Sequence, residues 1–356
     1  MLKQKIQKVQ SHIRSQKSDG VFVINPSHQI HDDLLYYLLL THLELGAIFI
    51  PKKGKPILWA IPFETKQLKK AYPEISVKPY DKKLSELLST YSTKQIWRIR
   101  ESALPVSALK QLRKLKNIKL APLSQDELIY AEKLPDEIKL LQKAANITDE
   151  LFAELIANWK TFKKESDATS FLLTEMARRG IEPSFPPIVA SGKNAANPHH
   201  NTYSGKLQKG FCVIDMGVRY KGYCSDMTRT IFIGKPTEKQ RAFYTHIQNI
   251  QQNTVEMVRP GVTVADIDTF CRSELGPELN KQFIHSLGHG LGSQVHEWPR
   301  VSSHVDLKLK PNMYITIEPG VYKHGSYGIR IEDDVLVTEK GYKVLNKTAK
   351  DLIIVN

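Results

Sequence analysis

Cysteine is scarce in this sequence. The 356-residue chain has three, Cys212, Cys224 and Cys271, with no paired metal-binding spacing. Such usage excludes an even disulfide framework and fits a reducing compartment. Long apolar runs are lacking too. The most apolar segment, residues 34–50, is broken by His42 and Glu44 and is short for a membrane span, so a buried helix followed by a strand is expected there. The first residues, MLKQKIQKVQSHIRSQK, have neither the apolar core nor the small-residue cleavage site of a secretory signal. Leu2, Ile6, Val9 and Ile13 recur at helical spacing instead, and the basic character of the stretch leaves a mitochondrial transit peptide as the alternative reading. No Gly/Ser-rich linker or low-complexity segment interrupts the chain. These absences predict a cytoplasmic protein without a membrane anchor.

Acidic residues are sparse in one region only. The formal net charge is +14. Residues 1–125 hold 22 Lys and Arg against 9 Asp and Glu, while the remainder holds 29 against 28. A basic region can be a nucleic-acid footprint, but these cations lie in scattered helices and turns with no aromatic-interleaved binding motif. They read as solvated surface, and nucleic acid is not an expected partner.

The length suits two domains. Short apolar strands beginning near residues 21, 47, 56, 75, 96 and 117 alternate with helical stretches near 64–71, 83–90 and 105–115, and PKKGK at residue 51 is a turn signal. The expectation is a small α/β domain over 1–125. Residues 126–356 follow as an α+β domain that opens on a long helical region ended by Gly180.

Two hairpins carry the chemistry. In FCVIDMGVRYKGYCSDMTRTIFIG, residues 211–234, a turn centred between Tyr220 and Lys221 sets Asp215 opposite Asp226. Like charges about 5 Å apart across a ladder destabilise it unless a cation intervenes; on this hairpin alone, a metal ligand and a turn-capping Asp are both open. MYITIE (313–318) and GIRIEDDVLV (328–337) form the second hairpin, in which a loop centred near Gly325 sets Glu318 opposite Glu332. Between them lies HSLGHGLGSQVHEWPR, residues 285–300, whose glycines at 288, 290 and 292 permit close backbone approach. Four carboxylates and an imidazole make a ligand set for two divalent ions sharing oxygens.

The order DMG, SDMTRT, GHGLG, VHEWPR, IEPG, RIED resembles the pita-bread metallopeptidases: methionine aminopeptidases, Xaa-Pro aminopeptidases and Xaa-Pro dipeptidases (prolidases). The resemblance covers roughly the last two thirds of the chain and implies a creatinase-like N-terminal domain before a pita-bread catalytic domain. It implies the metal ligands Asp215, Asp226, His289, Glu318 and Glu332, binding Mn or Co, with Zn or Fe as alternatives. It implies that His199 (with His200 as its competitor) and His296 flank a peptide substrate, that Glu318 also shuttles protons, and that the protein is a homodimer. Thr228 shares a strand face with Asp226, so it could support the ligands, whereas Arg229 faces away and reads as a structural ion pair. Arg300 or Arg330 could bind a substrate carboxylate. HEWPR followed by IEPGVY looks most like prolidases. The alternatives are an Xaa-Pro aminopeptidase that takes longer peptides and a non-catalytic nucleic-acid- or protein-binding homologue.

Overall fold

The computed structural model describes residues 1–25, 32–89, 91, 93–101, 103–201 and 205–356. The chain divides into two compact units, Met1–Tyr130 and Ala131–Asn356.

The N-terminal unit is α/β. Its six-stranded sheet runs in the order Ser76–Pro79, Ile57–Ala60, Gly46–Pro51, Gly20–Asn25, Gln95–Ile99, Ile118–Pro122. All six strands expected from the sequence are present, and the 51–55 turn joins an antiparallel pair. The strand Gly20–Asn25 reads as an unbroken apolar run because both faces are covered. Val21 and Val23 pack with Ile6, Val9 and Ile13 of the helix Leu2–Ser15, while Phe22 and Ile24 pack with Trp59 and Trp97 on the other face.

The C-terminal unit is α+β and is built twice over. One half packs the helices Pro135–Ala157 and Glu165–Arg178 against a sheet ordered Ile354–Val355, Met227–Ile233, Gly210–Met216, Ile188–Ser191. The other packs Glu238–Glu256 and Val264–Asn280 against a sheet ordered Glu297–Val301, Gly288–Gly290, Tyr314–Ile317, Asp333–Val337, Tyr342–Val344. Each half presents one carboxylate hairpin.

The hairpin registers place the acidic residues. In the second, Ile317 pairs with Asp333 and Gly320 with Arg330, so Glu318 stands opposite Glu332 as expected. The first departs from the expected register. Tyr220 pairs with Tyr223 and Asp215 with Thr228, not with Asp226. The turn is Lys221-Gly222, with φ of 48° and 85°, the pair of positive angles that a tight two-residue hairpin turn requires. This slips the partner of Asp215 by two residues. Because side chains alternate with period two, a two-residue slip preserves the face, and Asp226 stays on the side of Asp215, diagonally displaced. The ladder is broken at Gly217, where the opposing chain passes so closely that a Cβ would lie 1.9 Å from the Ser225 carbonyl oxygen.

Gly217→Ala should therefore push the Asp226 segment off its seat. A loss of about 1–3 kcal/mol in urea unfolding is expected, the scale of overpacking, together with weaker divalent-metal binding in calorimetry. Unchanged values for both would show that the junction does not set the position of Asp226.

Candidate metal centre

Asp215 lies near the end of its strand, with Asp226 just before the returning one. Glu318 immediately follows Tyr314–Ile317, and Glu332 immediately precedes Asp333–Val337. His289 comes from the short strand Gly288–Gly290, which fits between its neighbours because glycine flanks the histidine. A Cβ at Gly288 would lie 2.1 Å from the Thr316 carbonyl oxygen. Ligand atoms of Asp226, His289 and Glu332 all fall within 4.8 Å of one another. His289 Nε2 lies 3.6 Å from Asp226 Oδ2 and 3.5 Å from Glu318 Oε1.

The donor chemistry fits divalent cations. His289 Nδ1 lies 3.0 Å from the Gly290 carbonyl oxygen, which can only accept. Nδ1 therefore carries the hydrogen, and the Nε2 lone pair points at the carboxylates. Asp215 Oδ2 accepts from Arg330 Nη2 at 2.6 Å, while its buried Oδ1 has no hydrogen-bond partner among the described residues. Burial and then the Glu332 charge push Asp226 well above the usual carboxylate range. Burial and then Glu318 do the same to Glu332. Glu318 is raised to about 8, chiefly by burial. One guanidinium among four carboxylates leaves the site short of positive charge, and hard oxygen donors with one imidazole suit a divalent ion.

The surrounding side chains hold the donors still. Thr228 Oγ1 donates to Glu332 Oε2 at 2.6 Å and accepts from Arg330 Nε at 2.9 Å. Its partner is thus Glu332 and not Asp226. Arg229 makes the structural pair expected of it, with Asp333 at 2.6 Å, and also donates to the backbone carbonyl of Glu332. Arg330 is buried and fully engaged, by Asp215, Thr228 and the Tyr322 hydroxyl. Arg300 is exposed; it pairs with His289 across the ladder and, among the described residues, donates to Ser286 Oγ alone, at 2.9 Å.

His199 and His296 are both exposed at the rim. The His296 and His289 rings meet edge to face, 4.4 Å between centroids. Burial and then the His199 charge hold His296 below its ordinary value. His296 sits on a loop braced by the next residue: Glu297 pairs with buried Lys133 and accepts from Ser293 Oγ and the Gln294 amide. His200 turns away from this group, to Glu165 at 2.9 Å.

Sequence reasoning missed His285 and Tyr322. The His285 ring touches the Tyr322 hydroxyl through Nε2 at 3.0 Å and lies 4.0 Å from Glu318 Oε2, and burial drops it to about 4. The available signal was spacing: His285 is the first histidine of the HSLGH that supplies His289.

The sequence matches metallopeptidase family M24 over residues 139–339. The chain belongs to that family. It is 33% identical to an Xaa-Pro dipeptidase of Pyrococcus furiosus, covering 99% of this chain and 100% of that one. A solved Xaa-Pro dipeptidase from Bacillus anthracis superposes with a TM-score of 0.88 at 28% identity, over 100% of both chains. The X-Pro aminopeptidase of Thermotoga maritima reaches 0.86 at 25% identity, over 97% of this chain and 100% of that one. The M24 chain is a peptidase, and its C-terminal unit has the pita-bread fold. The family uses divalent metals, and among the described residues Asp226, His289 and Glu332 form a cluster able to hold one. No helix among the described residues is long and apolar enough to cross a membrane.

The raised carboxyls give the metal-free M24 protein a distinctive pH response. A group whose folded pKa is raised contributes stability that is full below its unfolded value and is lost as pH climbs through the folded one. For Glu318 that window runs from 4.5 to about 8. His289 is lowered from 6.5 to about 3 by burial, so it costs stability only below 6.5. Between pH 6.5 and 8 the raised carboxyls of Asp226, Glu318 and Glu332 outweigh the fading opposite contribution of the lowered imidazoles of His285, His289 and His296. The Tm of chelated protein should fall across that interval, and divalent metal should restore it. A flat or rising Tm without metal would contradict the charge assignment.

Proposed function

We propose that the chain is a metal-dependent Xaa-Pro dipeptidase, with two divalent cations held by Asp215, Asp226, His289, Glu318 and Glu332. Mn2+ or Co2+ suits this carboxylate-rich set, with Zn2+ or Fe2+ as alternatives. When bound, the cations supply an acidified water and a polarised scissile carbonyl. His199 and His296, at the rim, steady the substrate and the oxygen that gains charge. Glu318 takes a proton from the attacking water and delivers it to the prolyl nitrogen, which leaves without a hydrogen of its own. The setting is a cytoplasmic homodimer, and the N-terminal unit is the creatinase-like domain of such enzymes.

The observation that favours a dipeptidase is Arg300. It stands across the ladder from His289 and is exposed, with its Nε on Ser286 Oγ, and its terminal nitrogens can take a carboxylate bidentately. Arg330 is the weaker candidate because Asp215 already occupies it. An aminopeptidase must leave the direction beyond proline open. Likeness to the Thermotoga maritima enzyme keeps that reading as the alternative.

Substrate length separates the two. Metal-loaded protein should prefer an Xaa-Pro dipeptide to Ala-Pro-Ala. Arg300→Ala should weaken dipeptide kcat/KM by about 1.5–3 kcal/mol, the scale of hydrogen bonds to charged groups. A tripeptide carries its carboxylate about 3.5 Å further on, so its turnover should barely change. Equal loss on both substrates would make Arg300 structural. A wild-type preference for the tripeptide would favour the aminopeptidase.

A further inference from the structure

The chain has two adjacent histidines in PHHN, and the fold separates them. His200 Nε2 lies 2.9 Å from Glu165 Oε2. Glu165 is fully buried and is the first residue of the helix Glu165–Arg178, where the helix N-terminus favours negative charge. Its Oε1 accepts the Ser191 amide at 2.6 Å and the Ser191 hydroxyl at 2.7 Å. The Asn194 amide reaches both oxygens, at 3.0 and 3.1 Å. An ionised carboxylate only accepts, so His200 Nε2 must carry the hydrogen and donate it.

The same segment is pinned from the other side. A Cβ at Gly328 would lie 1.8 Å from the Ala195 carbonyl oxygen, so the 192–196 turn is seated on the strand Tyr327–Arg330. The Pro198 carbonyl accepts from Arg330 Nη1 at 3.4 Å. Between held Pro198 and held His200, His199 is left exposed, close enough to His285 and His296 for its charge to act on both. We propose that His200, gripped by the buried carboxylate of Glu165, is a positioning residue that fixes the segment presenting His199 to substrate. This rests on the peptidase reading in which His199 contacts the peptide. It assigns His200 a task distinct from that of its neighbour.

The test is a double-mutant cycle on the full chain loaded with Mn2+, assayed on an Xaa-Pro dipeptide. His200→Ala should lower kcat by about tenfold or more, the scale of one hydrogen bond to a buried charge, with KM and metal content little changed. His200→Gln keeps a donor of similar reach and should recover to within about threefold of wild type. In a His199→Ala background, His200→Ala should add less than about twofold, because a residue acting only through His199 has nothing left to position. The same factor in both backgrounds, or no recovery with Gln, would overturn the proposal and make His200 a substrate contact or a general structural element. If His200→Ala does not fold, His200→Asn, too short to reach Glu165, takes its place in the cycle.

Failure of the peptidase reading is seen separately, as a wild type that cleaves no Xaa-Pro dipeptide at any metal loading. The positioning claim is then read from 13C-histidine NMR, with the His199 signal assigned by its loss in His199→Ala. The signal should move in His200→Ala and return in His200→Gln. An unmoved signal would overturn the claim.

Discussion

Buried carboxylates that repel one another are the constraint around which the C-terminal unit is arranged. Asp226, Glu318 and Glu332 are each raised by burial and by neighbouring acids, which no hydrophobic packing can relieve. The fold answers by cross-stitching the two hairpins before any cation arrives. The Glu332 amide donates to the Thr228 carbonyl at 3.1 Å, and the Asp226 amide donates to Asp334 Oδ2 at 3.1 Å. Arg330 donates its own amide to Thr230 Oγ1 and sends its guanidinium back to Asp215. Backbone and side chain thus fix the donors from different directions, so the repulsion raises pKa values instead of spreading the hairpins.

The same logic explains the second buried arginine. Arg229 alternates to the face opposite Thr228, where Asp333 would otherwise be a further uncompensated charge. The Arg229 and Lys350 cations hold Asp333 below the ordinary carboxylate range despite its burial. Two successive acids, Glu332 and Asp333, therefore sit in opposite electrostatic settings. Glu332 is raised and belongs to a cluster able to hold a cation; Asp333 is lowered and neutralised by protein.

Much of this was legible in the sequence, because period-two alternation and turn chemistry are local. The second hairpin has its loop centre near Gly325, and its register came out as expected. The first was displaced by two residues because the turn took Lys221-Gly222, where glycine accepts the positive φ, and parity kept Asp226 on the right face. His285 and Tyr322 were not legible. Their place beside Glu318 depends on how the strand after Pro319 folds back on the segment before His289, and no local pattern encodes that. Arg330 shows the same limit. Its sequence position allows a substrate contact, but whether its guanidinium is free is decided by Asp215, which comes from the other hairpin.

Arg300 and Arg330 carry the same group into different environments, and the difference locates where selectivity can vary. A carboxylate arriving at Arg330 would have to displace Asp215 from a buried 2.6 Å pair, leaving an uncompensated charge and disturbing a candidate ligand. A carboxylate arriving at Arg300 displaces water and one hydroxyl contact. Arg300 lies on the edge strand Glu297–Val301 of its sheet, where a side chain can change without repacking a core. The stitched hairpins are costly to alter, because Asp215, Asp226 and Glu332 are held by groups from the opposite half of the unit. Chains that share this centre are therefore free to differ at its rim, and a preference for peptide length can shift there while the metal-binding chemistry stays fixed.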